Sequence, residues 1–169
     1  MFKLLTSDRL FYRKLEEQDA KPLWDQMFHD YDKYKIYVRM TYKNFEEYLI
    51  YIKALSGGYN VNSNYLRWSI ETKESNELVG NINLHNLDLD AKKAEIGCFI
   101  LPKYRRSGYA KEAVDTVINF AITDLGFKTI HGYVDKGNEA SSNVLLKTGF
   151  TLDSALTTDK QTAYKKNKL

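Results

Sequence analysis

A mixed α/β sheet is the fold class this sequence predicts, and three observations predict it. Residues 94–101 form a short apolar run that Pro102 stops, which reads as a buried strand. Directly after it, Ala110, Ala113, Val114, Val117, Ile118, Ala121 and Leu125 recur on one face of a 3.6-residue period. Elsewhere, strand-like runs first follow one another through polar turns and then alternate with helical segments. At 169 residues the chain is read as one domain, 1–169, with enough length for a sizeable core. No repeat, low-complexity tract or Pro/Gly-rich linker divides it.

Taken in order, residues 10–15 read as the first strand. Residues 19–28 read as a helix with Pro22 in its first turn and Leu23, Met27 and Phe28 on one side. An aromatic, charged stretch follows at 30–37. Asn44 then starts a second helix, with Glu47 three residues on as a capping-box variant; Tyr48, Leu49, Tyr51 and Ile52 lie on it, and it ends near Gly57 and Gly58. Residues 65–71 and 78–85 read as strands joined by the polar turn 73–76, and 88–93 as a turn before the central strand. Residues 129–134 read as a strand, 139–147 as a helix and 151–156 as a strand. Residues 161–169 read as a last strand running into a Lys-rich, solvated tail. Trp68 is expected in the core, and Cys98, inside the buried strand, as a small core hydrophobe and not a nucleophile.

The chemistry starts in the turn between the buried strand and the long helix. Arg105, Arg106, Ser107, Gly108, Tyr109 and Ala110 occupy it. A helix N-terminus offers unpaired N–H groups and partial positive charge, a glycine permits close backbone approach, and arginines add charge-assisted hydrogen bonds. The turn is therefore a candidate anion site, although basic residues and a glycine before a helix also occur with no ligand. It has neither the Gly-Lys-Ser/Thr of a P-loop nor three spaced glycines of a dinucleotide fingerprint.

Arg105-x-x-Gly108-x-Ala110 resembles the Gln/Arg-x-x-Gly-x-Gly/Ala signature of the GNAT N-acetyltransferases. Residues 138–150, from Asn138 through Ser141 and Asn143 to Gly149-Phe150, resemble that family's second signature. Residues 94–97, 80–86 and 9–15 resemble the RimJ/RimL-like branch, so the likeness runs from about Arg9 to Phe150. It implies a GNAT fold: a mixed, mostly antiparallel central sheet with splayed parallel central strands, flanked by helices. It also implies acetyl-CoA as cosubstrate, with its pyrophosphate held by the 105–110 turn. The pantetheine arm would pair with the backbone near Phe99, Ile100 and Leu101, a partner for groups that would be costly to bury unpaired. Asn138 and Asn143 are carried over as cofactor contacts; Asn138 reads equally as a helix N-cap.

Acetyl transfer to an amine needs a base for the amine proton and a donor for the departing thiolate, with both substrates held in line. Glu95, polar in an apolar run, is the first candidate base, and the RimJ/RimL-like pattern carries a Glu there; a solvent-facing or arginine-paired carboxylate is the alternative. His85 is the second candidate. The tyrosine that many GNAT enzymes place seven residues after the Asn is absent: Leu145 stands there. In its place the branch pattern suggests Ser141 as the acid, which otherwise reads as a first-turn helix residue. Tyr31, Tyr34, Tyr37 and Tyr42, with Asp30 and Asp32, would line the acceptor wall or merely pack and solvate.

Composition sets the remaining bounds. A net charge of +3 falls short of the basic stripe of a dedicated nucleic-acid binder, and one cysteine suits a reducing compartment. No run of about 18 apolar residues suggests a membrane span, and the N-terminus lacks a signal-peptide core. No metal is expected, and no acyl-enzyme constellation is evident. The expectation is a cytoplasmic, acetyl-CoA-dependent N-acetyltransferase, monomeric or homodimeric, acting on a protein N-terminus or small-molecule amine. A non-catalytic module that senses acyl-CoA or docks on ribosome or RNA is the alternative.

Overall fold

The computed structural model describes residues 3–28, 42–56 and 64–168. Their strands are β1 Leu5–Thr6, β2 Leu10–Lys14, β3 Tyr65–Thr72, β4 Leu78–Asp88, β5 Lys93–Ile100, β6 Thr129–Asp135, β7 Thr151–Leu152 and β8 Gln161–Asn167. The helices are α1 Ala20–Phe28, α2 Phe45–Ser56, α3 Tyr109–Thr123 and α4 Glu139–Lys147, with short 3-10 turns at Glu17–Asp19 and Pro102–Tyr104. The strands make one sheet in the order β1-β2-β3-β4-β5-β6-β8-β7. Every neighbouring pair is antiparallel except β5 and β6, which the α3 crossover joins in parallel. This is the mixed, mostly antiparallel GNAT sheet that the sequence led us to expect.

Helices cover both faces. The apolar period of α3 buries Ala113, Val114, Val117, Ile118, Phe120 and Ala121 against Leu84, Ile96 and Ile130 of the sheet. Trp68 lies in this core, 1% exposed, its indole Nε1 donating to the Lys3 carbonyl at 2.8 Å. On the opposite face Leu23 of α1 and Tyr48 and Ile52 of α2 form a smaller cluster with Leu15 and Leu101. The start of α2 is capped as its sequence suggests, Asn44 Oδ1 accepting from the Glu47 amide at 2.9 Å. Glu47 reaches one residue further back than a standard box and accepts from the Lys43 amide at 2.9 Å.

Between β5 and β6 the pairing is brief. Lys93 faces Thr129, Ala94 faces Ile130 and Glu95 faces His131, and there the ladder stops. The two strands part from Glu95 onward, which is the splay expected of the central strands.

Four expectations need correction or a limit. The strand expected over 151–156 is only Thr151–Leu152, because the chain turns at buried Asp153: Thr157 Oγ1 donates to the Asp153 carbonyl at 3.0 Å. The Lys-rich end is not a free tail: Lys165 pairs with Asp153 at 3.3 Å and Lys166 donates to the Thr148 carbonyl. Cys98 is not a core residue but exposed, on the same sheet face as Ile96 and Ile100 beyond the last β5–β6 pair. It is accessible yet recessed, and the surrounding atoms push its thiol up to about 12, so it stays a neutral, poor nucleophile. The aromatic segment with Asp30, Tyr31, Asp32, Tyr34 and Tyr37, and the end of α2 at Gly57 and Gly58, lie outside the described residues.

Candidate active site

Alternation along the strands decides which side chains meet. Residues directly opposite one another across a ladder share a face, so register alone puts Tyr65, His85, Glu95 and His131 in one row across β3, β4, β5 and β6. That row lies on the α1/α2 side of the sheet, at the position where β5 and β6 separate.

Glu95 and His85 are brought into contact. Glu95 Oε2 lies 3.2 Å from His85 Nε2, with the two side chains 25% and 32% exposed. Glu95 Oε1 accepts from Asn86 Nδ2 at 3.0 Å. Asn86 reaches it because the β4–β5 register slips after His85 and Asn86 takes a left-handed φ of 48°. His85 Nδ1 sits 2.8 Å from the Asn83 side-chain oxygen position. A neutral imidazole satisfies both contacts when Nε2–H donates to Glu95 and Asn83 turns its NH2 to Nδ1, an arrangement identical in heavy atoms. Burial lowers the pKa of His85; Glu95 opposes the shift and Arg67 reinforces it. The imidazole is thereby kept neutral near pH 7, orienting the carboxylate and leaving its free lone pairs to accept a proton.

The turn before α3 has the form of an anion cradle. Gly108 is the N-cap at φ 82°, ψ −2°, with no side chain capping the helix. The first acidic residue of α3, Glu112, turns away to accept from the Arg9 amide at 2.8 Å and from Ser7 Oγ at 2.7 Å. The first-turn amides are thus left without a side-chain acceptor. Arg9 braces the turn from outside: its Nη1 donates to the Ser107 carbonyl at 2.9 Å and its guanidinium lies 4.6 Å from the Tyr109 ring centroid. Arg106, Ser107 and Gly108 are exposed, while Tyr109 and Ala110 are partly buried. Arg105 is turned inward instead, its Nε donating to the Ile100 carbonyl at 3.0 Å with the guanidinium 5.6 Å from the Phe99 ring. The Leu101 amide donates to Val79 at 2.8 Å. Of the backbone proposed for the pantetheine arm, these two groups already have partners within the chain.

Asn138 is a helix N-cap, 7% exposed, accepting from the Ser141 amide at 3.1 Å. Among the described residues its amide nitrogen has no partner and remains able to donate. Ser141 is partly buried in the first turn of α4 and Asn143 is exposed. No contact joins Ser141 to Glu95 or His85: α4 lies on the α3 side of the sheet, with Leu145 buried there against Gly132 of β6. The candidate residues therefore form two groups on opposite faces, and the gap after Glu95 and His131 connects them.

Sequence reasoning missed Asn83, Asn86, His131, Arg67 and the bracing role of Arg9. Arg9 lay within the 9–15 likeness and Asn83 and Asn86 within the 80–86 likeness, but no role was read for them; Arg67 and His131 become neighbours of the site through register alone.

An uncapped helix start behind a left-handed glycine, beside parallel strands that stop pairing, fits a diphosphate with an extended amide-bearing arm. Comparison with known proteins gives the family. Residues 9–151 match the acetyltransferase (GNAT) domain, and the chain belongs to that family. It is 32% identical over 156 residues to the uncharacterized N-acetyltransferase YoaA of Bacillus subtilis, covering 92% of this chain and 87% of that protein. The fold is shared with a putative ribosomal-protein-serine acetyltransferase from Vibrio cholerae, with TM-score 0.81, 18% identity, and 99% and 100% of the two chains covered. It is shared also with a spermidine N-acetyltransferase from Vibrio cholerae solved with CoA and spermine, with TM-score 0.76, 18% identity and 94% of each chain covered. The chain is a GNAT acetyltransferase, and acetyl-CoA is its cosubstrate. Among the described residues no cluster could hold a metal and no helix is long and apolar enough to cross a membrane.

Proposed function

We propose that this chain transfers acetyl to a primary amine, of a protein N-terminus or a small molecule, in the cytoplasm, and that Glu95 is the base. The observation that carries the assignment is the Glu95–His85 pair, seated where β5 and β6 part. Acetyl-CoA supplies the activated thioester; the chain's tasks are to hold it, align the amine and manage protons. The amides of residues 106–110 would hold the pyrophosphate, and the unpaired edge of β5 near Phe99 would take the pantetheine arm. Asn138 Nδ2 would donate to the same arm from across the gap. Glu95 accepts the amine proton, and neutral His85 keeps its carboxylate aimed. Ser141, in the first turn of α4, would be the hydroxyl that donates toward the leaving sulfur. Leu145, packed against Gly132, excludes a tyrosine from that task.

The RNA-docking alternative gains nothing from the Lys-rich end, because Lys165 and Lys166 are engaged with Asp153 and Thr148.

The test is Glu95→Gln, assayed by thiol release against an amine panel. Acetyl-CoA binding should persist while turnover falls by about 10²–10⁴-fold, the usual worth of a positioned base. The deficit should be largest at lower pH, where the amine is mostly protonated. A wild-type rate across the pH range would remove Glu95 from the role.

A further inference from the structure

Two arginines occupy the α1/α2 face of the sheet, and their surroundings differ. Arg13 is neutralised twice, by Asp19 and by Glu71, each at 2.6 Å. Arg67 has no such partner: among the described residues no carboxylate lies within ion-pair distance of it. Its guanidinium is held by rings instead, 5.6 Å from the Tyr51 centroid and 5.0 Å from that of Tyr65, with Nη2 donating to the Tyr65 hydroxyl. Its Nε is buried with no hydrogen-bond partner. A partly buried cation with an unpaired donor is costly unless an anion completes it.

Register places that cation in the acceptor site. Arg67 lies opposite Asn83 and two residues along β3 from Tyr65, so it is the diagonal neighbour of His85. Diagonal partners stand about 7–8 Å apart, within reach of a long side chain. Glu95 is not within ion-pair distance of it, its oxygens lying against His85 and Asn86. A polyamine brought to Glu95 would put further positive charge beside Arg67, an arrangement that costs binding energy.

We propose that Arg67 is the specificity-determining residue of the acceptor site, so that the amine acetylated here carries an anionic group, carboxylate or phosphate, a few bonds from its nitrogen. The planar guanidinium donates in the fork geometry that both groups accept. The assignment rests on Glu95 as the base and adds to it the chemical class of the acceptor.

Matched amines test it, with thiol release as the readout. Alanine is compared with alaninamide, O-phosphoethanolamine with ethanolamine, and spermidine serves as the polycation; the first two pairs distinguish carboxylate from phosphate. The wild type should favour at least one anionic member by about tenfold to a hundredfold in kcat/KM, the range for a charge-assisted hydrogen bond. Arg67→Gln should abolish that preference through KM, with Arg67→Lys restoring part of it. Acetyl-CoA should stabilise all three proteins equally, which shows that the variants fold and keep the cofactor site. A preference that is absent, that survives Arg67→Gln, or that runs toward spermidine overturns the assignment. Should none of the amines turn over, calorimetric titration of O-phosphoethanolamine and alanine into the CoA-loaded protein decides. Arg67-dependent binding supports the proposal, and no binding overturns it. A wild type that fails to bind acetyl-CoA at all would strike the cofactor cradle instead, a result separable from either of these.

Discussion

Gly108→Ala separates what the turn costs the chain from what it does for the cofactor. Gly108 sits at φ 82°, and an L-residue there costs roughly 1–2 kcal/mol. The added Cβ would meet only the Arg9 Nη2, at 3.3 Å, a flexible side chain that relieves the contact by moving a few tenths of an ångström. Gly126 provides the control, with φ 73° and nothing within 4 Å of an added Cβ. Both variants should therefore lose about the same stability. At about 2–4 °C per kcal/mol for a chain of this length, that is about 2–8 °C in Tm. Acetyl-CoA at about one hundred times its Kd should stabilise the wild type by about 2.7 kcal/mol, or about 5–11 °C. Gly126→Ala should keep that increment, and Gly108→Ala should lose most of it, because a methyl group and a relaxed backbone displace the amides that face the pyrophosphate. The assay is a thermal-shift titration of the three proteins with acetyl-CoA. Equal increments in the two variants would show that the turn does not hold the cofactor.

Three further outcomes follow from the geometry. Asn138→Ala removes the cap of α4 and should cost about 1 kcal/mol by denaturant melt; acetyl-CoA affinity should fall as well, and a stability loss alone would leave Asn138 a cap and nothing more. Asp19→Ala should cost about 3–5 kcal/mol, since Asp19 is 2% exposed, accepts from Arg13 and from Ser69 Oγ at 2.7 Å, and its loss strips buried partners; a change below 1 kcal/mol would refute that network. Burial lowers the pKa of His131 from 6.5 in the folded chain. Between the lowered value and 6.5 the unfolded chain binds more protons, so this term weakens folding as pH falls through 6.5 and below. His131→Gln should flatten the decline of Tm between pH 7 and pH 5, and an unaltered or steeper decline would contradict the sign.

Much of the architecture was legible along the chain because it is local. The 3.6-residue period of α3, the stop at Pro102, the Asn44–Glu47 cap and the 105–110 turn each depend on residues within a few positions of one another, and propensity and patterning act at that range. The uncapped helix start behind Gly108 was readable for the same reason, one glycine and one helix start being adjacent in sequence. Where local signals misled, a distant partner had intervened. Asp153 curtailed β7, Asp153 and Thr148 drew in lysines that composition alone would leave in solvent, and the parting of β5 from β6 uncovered Cys98.

The acceptor side belongs to the other category. Sequence by itself determined that Glu95 is a polar residue in an apolar strand and that His85 lies on the preceding strand, and the GNAT resemblance added that Leu145 stands where many members carry a tyrosine. It could not determine that Glu95 and His85 touch, that Asn86 is bent in to hold the carboxylate, or that Arg67 stands diagonal to His85 with no carboxylate among the described residues at ion-pair distance. Those facts depend on which residue faces which across four strands. A one-residue slip of any ladder would turn each of these side chains to the opposite face of the sheet. Only the tertiary structure sets that register, because the buried faces on both sides of the sheet select it together.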